Sequence, residues 1–112
     1  LDGALRGLDE AVRGLAGRDD REHTLFLARR AEAGAERDPV GASRDLDCAI
    51  DRARFVGWAP VLASSLCRRS RMRRDPGDLV EAEAIAERIG APPGSRLRRD
   101  LERTRAWLAS QR

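Results

Sequence analysis

The densest chemistry in this 112-residue sequence is one octet, Cys67-Arg68-Arg69-Ser70-Arg71-Met72-Arg73-Arg74, in which five guanidinium groups follow a thiol. A guanidinium is a permanently charged planar fork that holds carboxylates or phosphates through parallel N–H bonds, so the run suits an anionic partner. Composition tempers that inference. All 22 basic residues are arginine, none is lysine, and alanine occurs 18 times, a pattern that points to a GC-rich genome. The net charge of +3 divides unevenly, with 10 Arg against 12 Asp/Glu in residues 1–56 and 12 against 7 in residues 57–112. The basic second half favours an anionic ligand, although arginines also fill solvated helix faces.

The remaining reactive side chains form no set. Cys48 and Cys67 fall in helix-like segments without metal-ligand spacing, and the single His23 cannot complete a zinc site. Both cysteines are expected to be buried free thiols. His23 has no serine or cysteine partner in any motif, Asp19-Asp20 sit in a capping loop, and no glycine-rich phosphate loop follows a strand. Binding rather than catalysis is therefore expected, with no cofactor and no metal. No apolar run approaches the roughly 18 residues that cross a bilayer, and no signal peptide is visible, so a cytoplasmic location is expected. The chain opens on Leu1 in mid-helix pattern, which predicts a piece of a longer protein.

Every periodic segment that must position these groups is helical. Leu5, Leu8, Val12 and Leu15 share one helix face up to Gly17-Arg18-Asp19-Asp20. Asp19 and Glu22 have capping-box spacing for a helix over about 20–37, with Leu25, Ala28, Ala31/Glu32 and Ala35 as its small-residue stripe. Asp38 precedes Pro39, the N-cap and first-turn pairing of a third helix whose buried face is Ala42, Leu46, Ala49, Ile50 and Ala53, ending near Gly57. Ala59-Pro60 opens a fourth, with Leu62, Ser65, Leu66 and Met72 on one side and Asp75-Pro76-Gly77 closing it. Asp78 with Glu81 repeats the capping-box form ahead of Ala82, Ile85, Ala86 and Ile89. Ser95 caps a sixth helix carrying Leu97, Leu101, Trp107 and Leu108. With 41% apolar residues, one all-α domain of about six antiparallel helices is expected.

An internal repeat refines the architecture. Ala4, Leu8, Ala11 and Val12 recur in spacing as Ala42, Leu46, Ala49 and Ile50, and more loosely as Ala82, Ala86 and Ile89. One further helix lies between copies, so the unit is a helix pair, the sign of an α-solenoid. In Ala4, Leu8, Ala11 and Ala42, Leu46, Ala49 the sequence resembles the second helix of tetratricopeptide-like repeats, departing from them in having no tyrosine and a period longer than 34 residues. The closing stretch AEAIAERIGAPPGSRLRRDLERTRAWL resembles helical repeats of large actinobacterial transcription regulators.

These resemblances imply a non-catalytic protein-interaction or regulatory module. The alternative they imply is a dimerisation or effector-sensing segment of a transcription regulator whose DNA-binding part lies elsewhere. On helix four, Leu62, Leu66, Arg69 and Arg73 share a stripe, while Arg68, Arg71 and Arg74 point to the sides and back. In a solenoid the first helices line the groove, so Arg29, Arg30, Arg68, Arg69 and Arg73, with Trp58 as an apolar anchor, are the candidate surface for a protein or acidic peptide. The competing expectation is that Arg69 and Arg73 pair with Glu81, Glu83 or Glu87 next door and that Trp58 and Trp107 cap the core. Scarce aromatics and the lack of a recognition module disfavour direct nucleic-acid binding. Arg96 with Asp100 and Arg98 with Glu102 have the spacing of exposed helical ion pairs.

Overall fold

Proline and glycine set the helix boundaries in the computed structural model, which describes residues 20–111. Five helices form there, α1 Asp20–Gly34, α2 Pro39–Val56, α3 Ala59–Arg73, α4 Pro76–Ile89 and α5 Arg96–Ser110, with no strand among the described residues. The helix expected around Leu5 to Leu15, its copy of the repeat and the Asp19 capping box lie outside the described residues.

Two helices start on the same device. Asp38 accepts from the Gly41 N–H at 3.0 Å with Pro39 in the first turn, and Asp75 accepts from the Gly77 N–H at 2.9 Å with Pro76 in the first turn. Proline's missing N–H costs nothing where no helical acceptor exists, and the carboxylate satisfies an amide that the helix itself cannot. This corrects the expectation that Asp78 opens α4. Asp75 does so, and Asp78 is spent inside the fold.

Helix ends follow an equally regular rule. Gly57 and Gly90 take positive φ of 71° and 67°, letting the next N–H, from Trp58 or Ala91, reach back to Ala53 O or Ala86 O. At the end of α3 the same left-handed position is held by Arg74 at φ 53°, and the Asp75 N–H closes onto Ser70 O at 3.0 Å. The buried Ser70 hydroxyl donates to Asp75 O at 2.6 Å, tying the turn down.

The chain divides between Trp58 and Ala59 into two compact units. In the first, α1 and α2 form a hairpin; Arg30 meets Asp45 and His23 meets Arg52, the crossed order of antiparallel neighbours. The α2 face is the expected one, with Ala42, Leu46, Ala49, Ile50 and Ala53 all buried. On α1 the buried set is Thr24, Leu27, Ala31 and Gly34, which keeps Ala31 of the expected stripe and sets the other three one position earlier, and the helix stops at Gly34. Leu25, Ala28 and Ala35 are only half-buried. Small residues at Ala31, Gly34, Ala42 and Ala49 give side-chain bulk to neither helix at the seam, which suits close backbone approach.

In the second unit α3 packs on both α4 and α5. Leu62, Ala63, Ser65, Leu66, Cys67 and Ser70 are buried from α3, Leu79, Ala82, Ile85 and Ala86 from α4, and Leu101 and Thr104 from α5. The third, looser copy of the repeat keeps Ala82 and Ala86 inside, while Ile89 is exposed and Ile85 takes the buried place. Met72, Leu97, Trp107 and Leu108 are half-buried.

Candidate interaction surface

Of the arginines in the expected surface, two are committed to internal carboxylates. Arg69 grips Asp78 through the side-on edge of its guanidinium, Nε to Oδ2 at 2.8 Å and Nη2 to Oδ1 at 2.9 Å. Asp78 is 6% exposed, so this is a nearly dehydrated pair rather than a surface one. Arg30 makes the same grip on Asp45, at 2.8 and 2.7 Å, and that hydrogen bond raises its already high pKa. In both arginines the Nε–Nη2 edge of the guanidinium is spent on a carboxylate of the same chain.

The octet shares a further cation with the core. Arg71 donates from Nη1 to Asp100 at 3.0 Å and to the Thr104 hydroxyl, whose own proton goes to Asp100 O at 2.8 Å. Arg71 was expected at the side or back of α3; it lies instead on the face that meets α5, one turn beyond the buried Cys67. Asp100 is therefore taken by α3 rather than by Arg96. Arg98 turns away from Glu102 to Ala91 O at 3.0 Å and to Glu87 at 3.6 Å, and Arg105 holds Glu83 at 3.0 Å. Glu83 and Glu87 are reached from α5, while Arg69 finds its carboxylate on the adjacent helix at Asp78.

Arg29 is exposed on α1, Arg73 is exposed at the end of α3 and Arg68 is half-buried, the latter two with interactions inside the chain. Trp58 is half-buried just past Gly57, with the Arg21 guanidinium 5.3 Å from its ring centroid, a cation–π contact. Arg29, Arg30 and Trp58 belong to the first unit, and Arg68, Arg69 and Arg73 to the second.

The two cysteines differ, which corrects the expectation that both are buried. Cys67 is fully buried, and loss of hydration, reinforced by the Asp100 charge, pushes its thiol up to about 11, so it stays protonated at neutral pH. Cys48 is exposed on α2. It borders an open hollow of about 320 Å³ beside the α1–α2 turn, whose charged residues include the joined pair Arg30 and Asp45. His23 accepts at Nδ1 from Arg52 at 2.9 Å. No three His, Cys, Asp or Glu residues gather as a metal site among the described residues, and no helix there is long and apolar enough to cross a membrane.

The surface that arginine counting overlooks is the outward side of α2. Val40, Arg44, Cys48, Asp51 and Phe55 recur at intervals of four, four, three and four residues and are all exposed. At 100° per residue they fit within about 80° of arc, centred opposite the buried face of Ala42, Leu46, Ala49, Ile50 and Ala53. Phe55 is 79% and Val40 67% exposed, the two most exposed large apolar side chains among the described residues. The signal was present in the sequence, because neither residue shares the phase of the core stripe on its own helix.

No family model, no curated protein and no solved structure matches this chain.

Proposed function

We infer that this chain is a non-catalytic protein-interaction module, built from tetratricopeptide-like helix pairs and serving a regulatory assembly. One observation carries the reading: α2 is fully packed on one side and yet displays Phe55 and Val40 to solvent on the other. A phenylalanine left four-fifths exposed contributes little to folding, whereas in a partner's interface its ring supplies a large apolar contact at small entropic cost. The alanine-lined seam of α1 and α2 and the repeat spacing support the helix-pair reading. As an acidic-peptide clamp, by contrast, the chain would offer Arg30 and Arg69 with their charge already balanced by Asp45 and Asp78.

The test compares stability at two positions of α2. Phe55→Ser should leave the urea midpoint within about 0.5 kcal/mol of the parent, while Leu46→Ala on the opposite face should cost about 2–5 kcal/mol. A loss above about 1 kcal/mol at Phe55 would make it a packing residue and remove the basis of the reading.

A further inference from the structure

The outward stripe of α2 has an internal order that selects one kind of partner. Running from the N-terminal end it is apolar, cationic, thiol, anionic, apolar: Val40, Arg44, Cys48, Asp51, Phe55. That order is complementary to its own reverse. When two copies of α2 lie side by side and antiparallel, with the two-fold axis passing between Asp47 and Cys48, Val40 of each copy faces Phe55 of the other. In the same register Arg44 of each faces Asp51 of the other. Both apolar ends are covered and the opposite-charge pair forms twice, as an isologous contact requires. Neither Arg44 nor Asp51 has an ion pair among the described residues, so forming these contacts breaks none.

We propose that the outward face of α2 docks a second copy of this chain, antiparallel, through reciprocal Val40–Phe55 and Arg44–Asp51 contacts. This rests on the interaction-module reading and names its partner. Other offsets of the two helices lose the match. Sliding by one turn sets Arg44 or Asp51 against Cys48, sliding by two turns sets Arg44 against Arg44 or Asp51 against Asp51, and either leaves an apolar end unpaired. A parallel pairing in register opposes like charges at both Arg44 and Asp51. Asp47 lies near the axis on the other edge of the seam and already has an interaction within its own chain.

The contact is small. α2 has 18 residues, about 27 Å of helix, and one such pair lies at the small, transient end of interfaces, below about 1,200 Å². A dissociation constant of about 10–100 µM is the corresponding expectation.

Geometry also supplies the reporter. Cys48 stands next to the two-fold axis, and symmetry puts both Cys48 side chains on the same edge of the seam, across helices about 8–10 Å apart. The other cysteine, Cys67, is buried. A short bis-maleimide added to the full 112-residue chain at 100 µM should therefore yield a covalent dimer that Cys48→Ser abolishes. Arg44→Asp and Asp51→Arg, each alone, replace two attractions by two repulsions and should weaken association on the order of tenfold or more, with little crosslinking. Mixed together, the two variants restore both pairs, and a crosslinked heterodimer should form at the parent yield. All substitutions are at exposed positions, and the helical circular dichroism of each checks that the fold is kept.

Recovery on mixing supports this interface, since a fold defect in either variant cannot be repaired by the other. Absence of crosslinking in the parent, or crosslinking that neither charge reversal nor mixing changes, would overturn it. Failure of the dimer together with a stability-neutral Phe55→Ser removes only the second copy as partner, whereas a destabilising Phe55→Ser removes the interaction reading itself.

Discussion

Arg74 shows how one residue can hold a position that suits another. Its φ of 53° is the left-handed conformation that Gly57 and Gly90 take at the equivalent ends of α2 and α4. A Cβ makes that region costly, by about 1 kcal/mol, and Arg74 is exposed, with no side-chain hydrogen bond or ion pair among the described residues to offset the cost. Arg74→Gly should therefore raise stability by about 0.5–1 kcal/mol, visible as an upward shift of the melting temperature; an unchanged or lower midpoint would show that the turn carries no strain. At this scale the sequence was legible wherever the residue type was dictated by backbone geometry, as at Gly57 and Gly90. It was silent at Arg74, where nothing in the side chain announces positive φ. Nor did residue type separate Cys48 from Cys67, whose exposures are opposite because only the second shares the phase of a buried α3 face.

Between elements, the arginines act as joints. Arg69 ties α3 to α4, Arg71 ties α3 to α5, and Arg30 ties α1 to α2, each to an aspartate shielded from most of the solvent. Removing one partner of such a pair strands the other charge, so Arg69→Met should cost about 2–4 kcal/mol, measured by urea unfolding. Adding Asp78→Leu should recover much of that loss. Arg29→Ala, at an exposed site, should change stability by less than about 0.5 kcal/mol. Equal and small effects at Arg69 and Arg29 would contradict the structural role. Helix existence, the core face of α2 and the Asp38-Pro39 start could be foreseen because each rests on local periodicity or capping. The Asp75-Pro76 start is the same signal, obscured because Asp78 and Glu81 offered capping-box spacing three residues further on, inside the first turns of the same helix. Which carboxylate each arginine takes could not be foreseen. That depends on the rotation of one helix against the next, and on α1 a single-step phase difference moves Thr24 and Gly34 inside in place of Leu25 and Ala35.

For the molecule as a whole, internal pairing occupies Arg69, Arg71, Arg98 and Arg105 of the basic second half without changing its net charge, and the face proposed here for a partner is a helix side of mixed character in the first half. Val40 and Phe55 were legible there as outliers to the core stripe of α2, yet their meaning emerges only once the opposite side of the helix is known to be full. The measurement that tests the central claim most directly is the mass in solution, by light scattering over about 5–500 µM, of the parent chain and of Phe55→Asp side by side. The account predicts that the parent passes from monomer toward twice the monomer mass across about 10–100 µM while Phe55→Asp remains a monomer throughout. Identical mass curves for the two proteins, whether both monomeric or both dimeric, would contradict it.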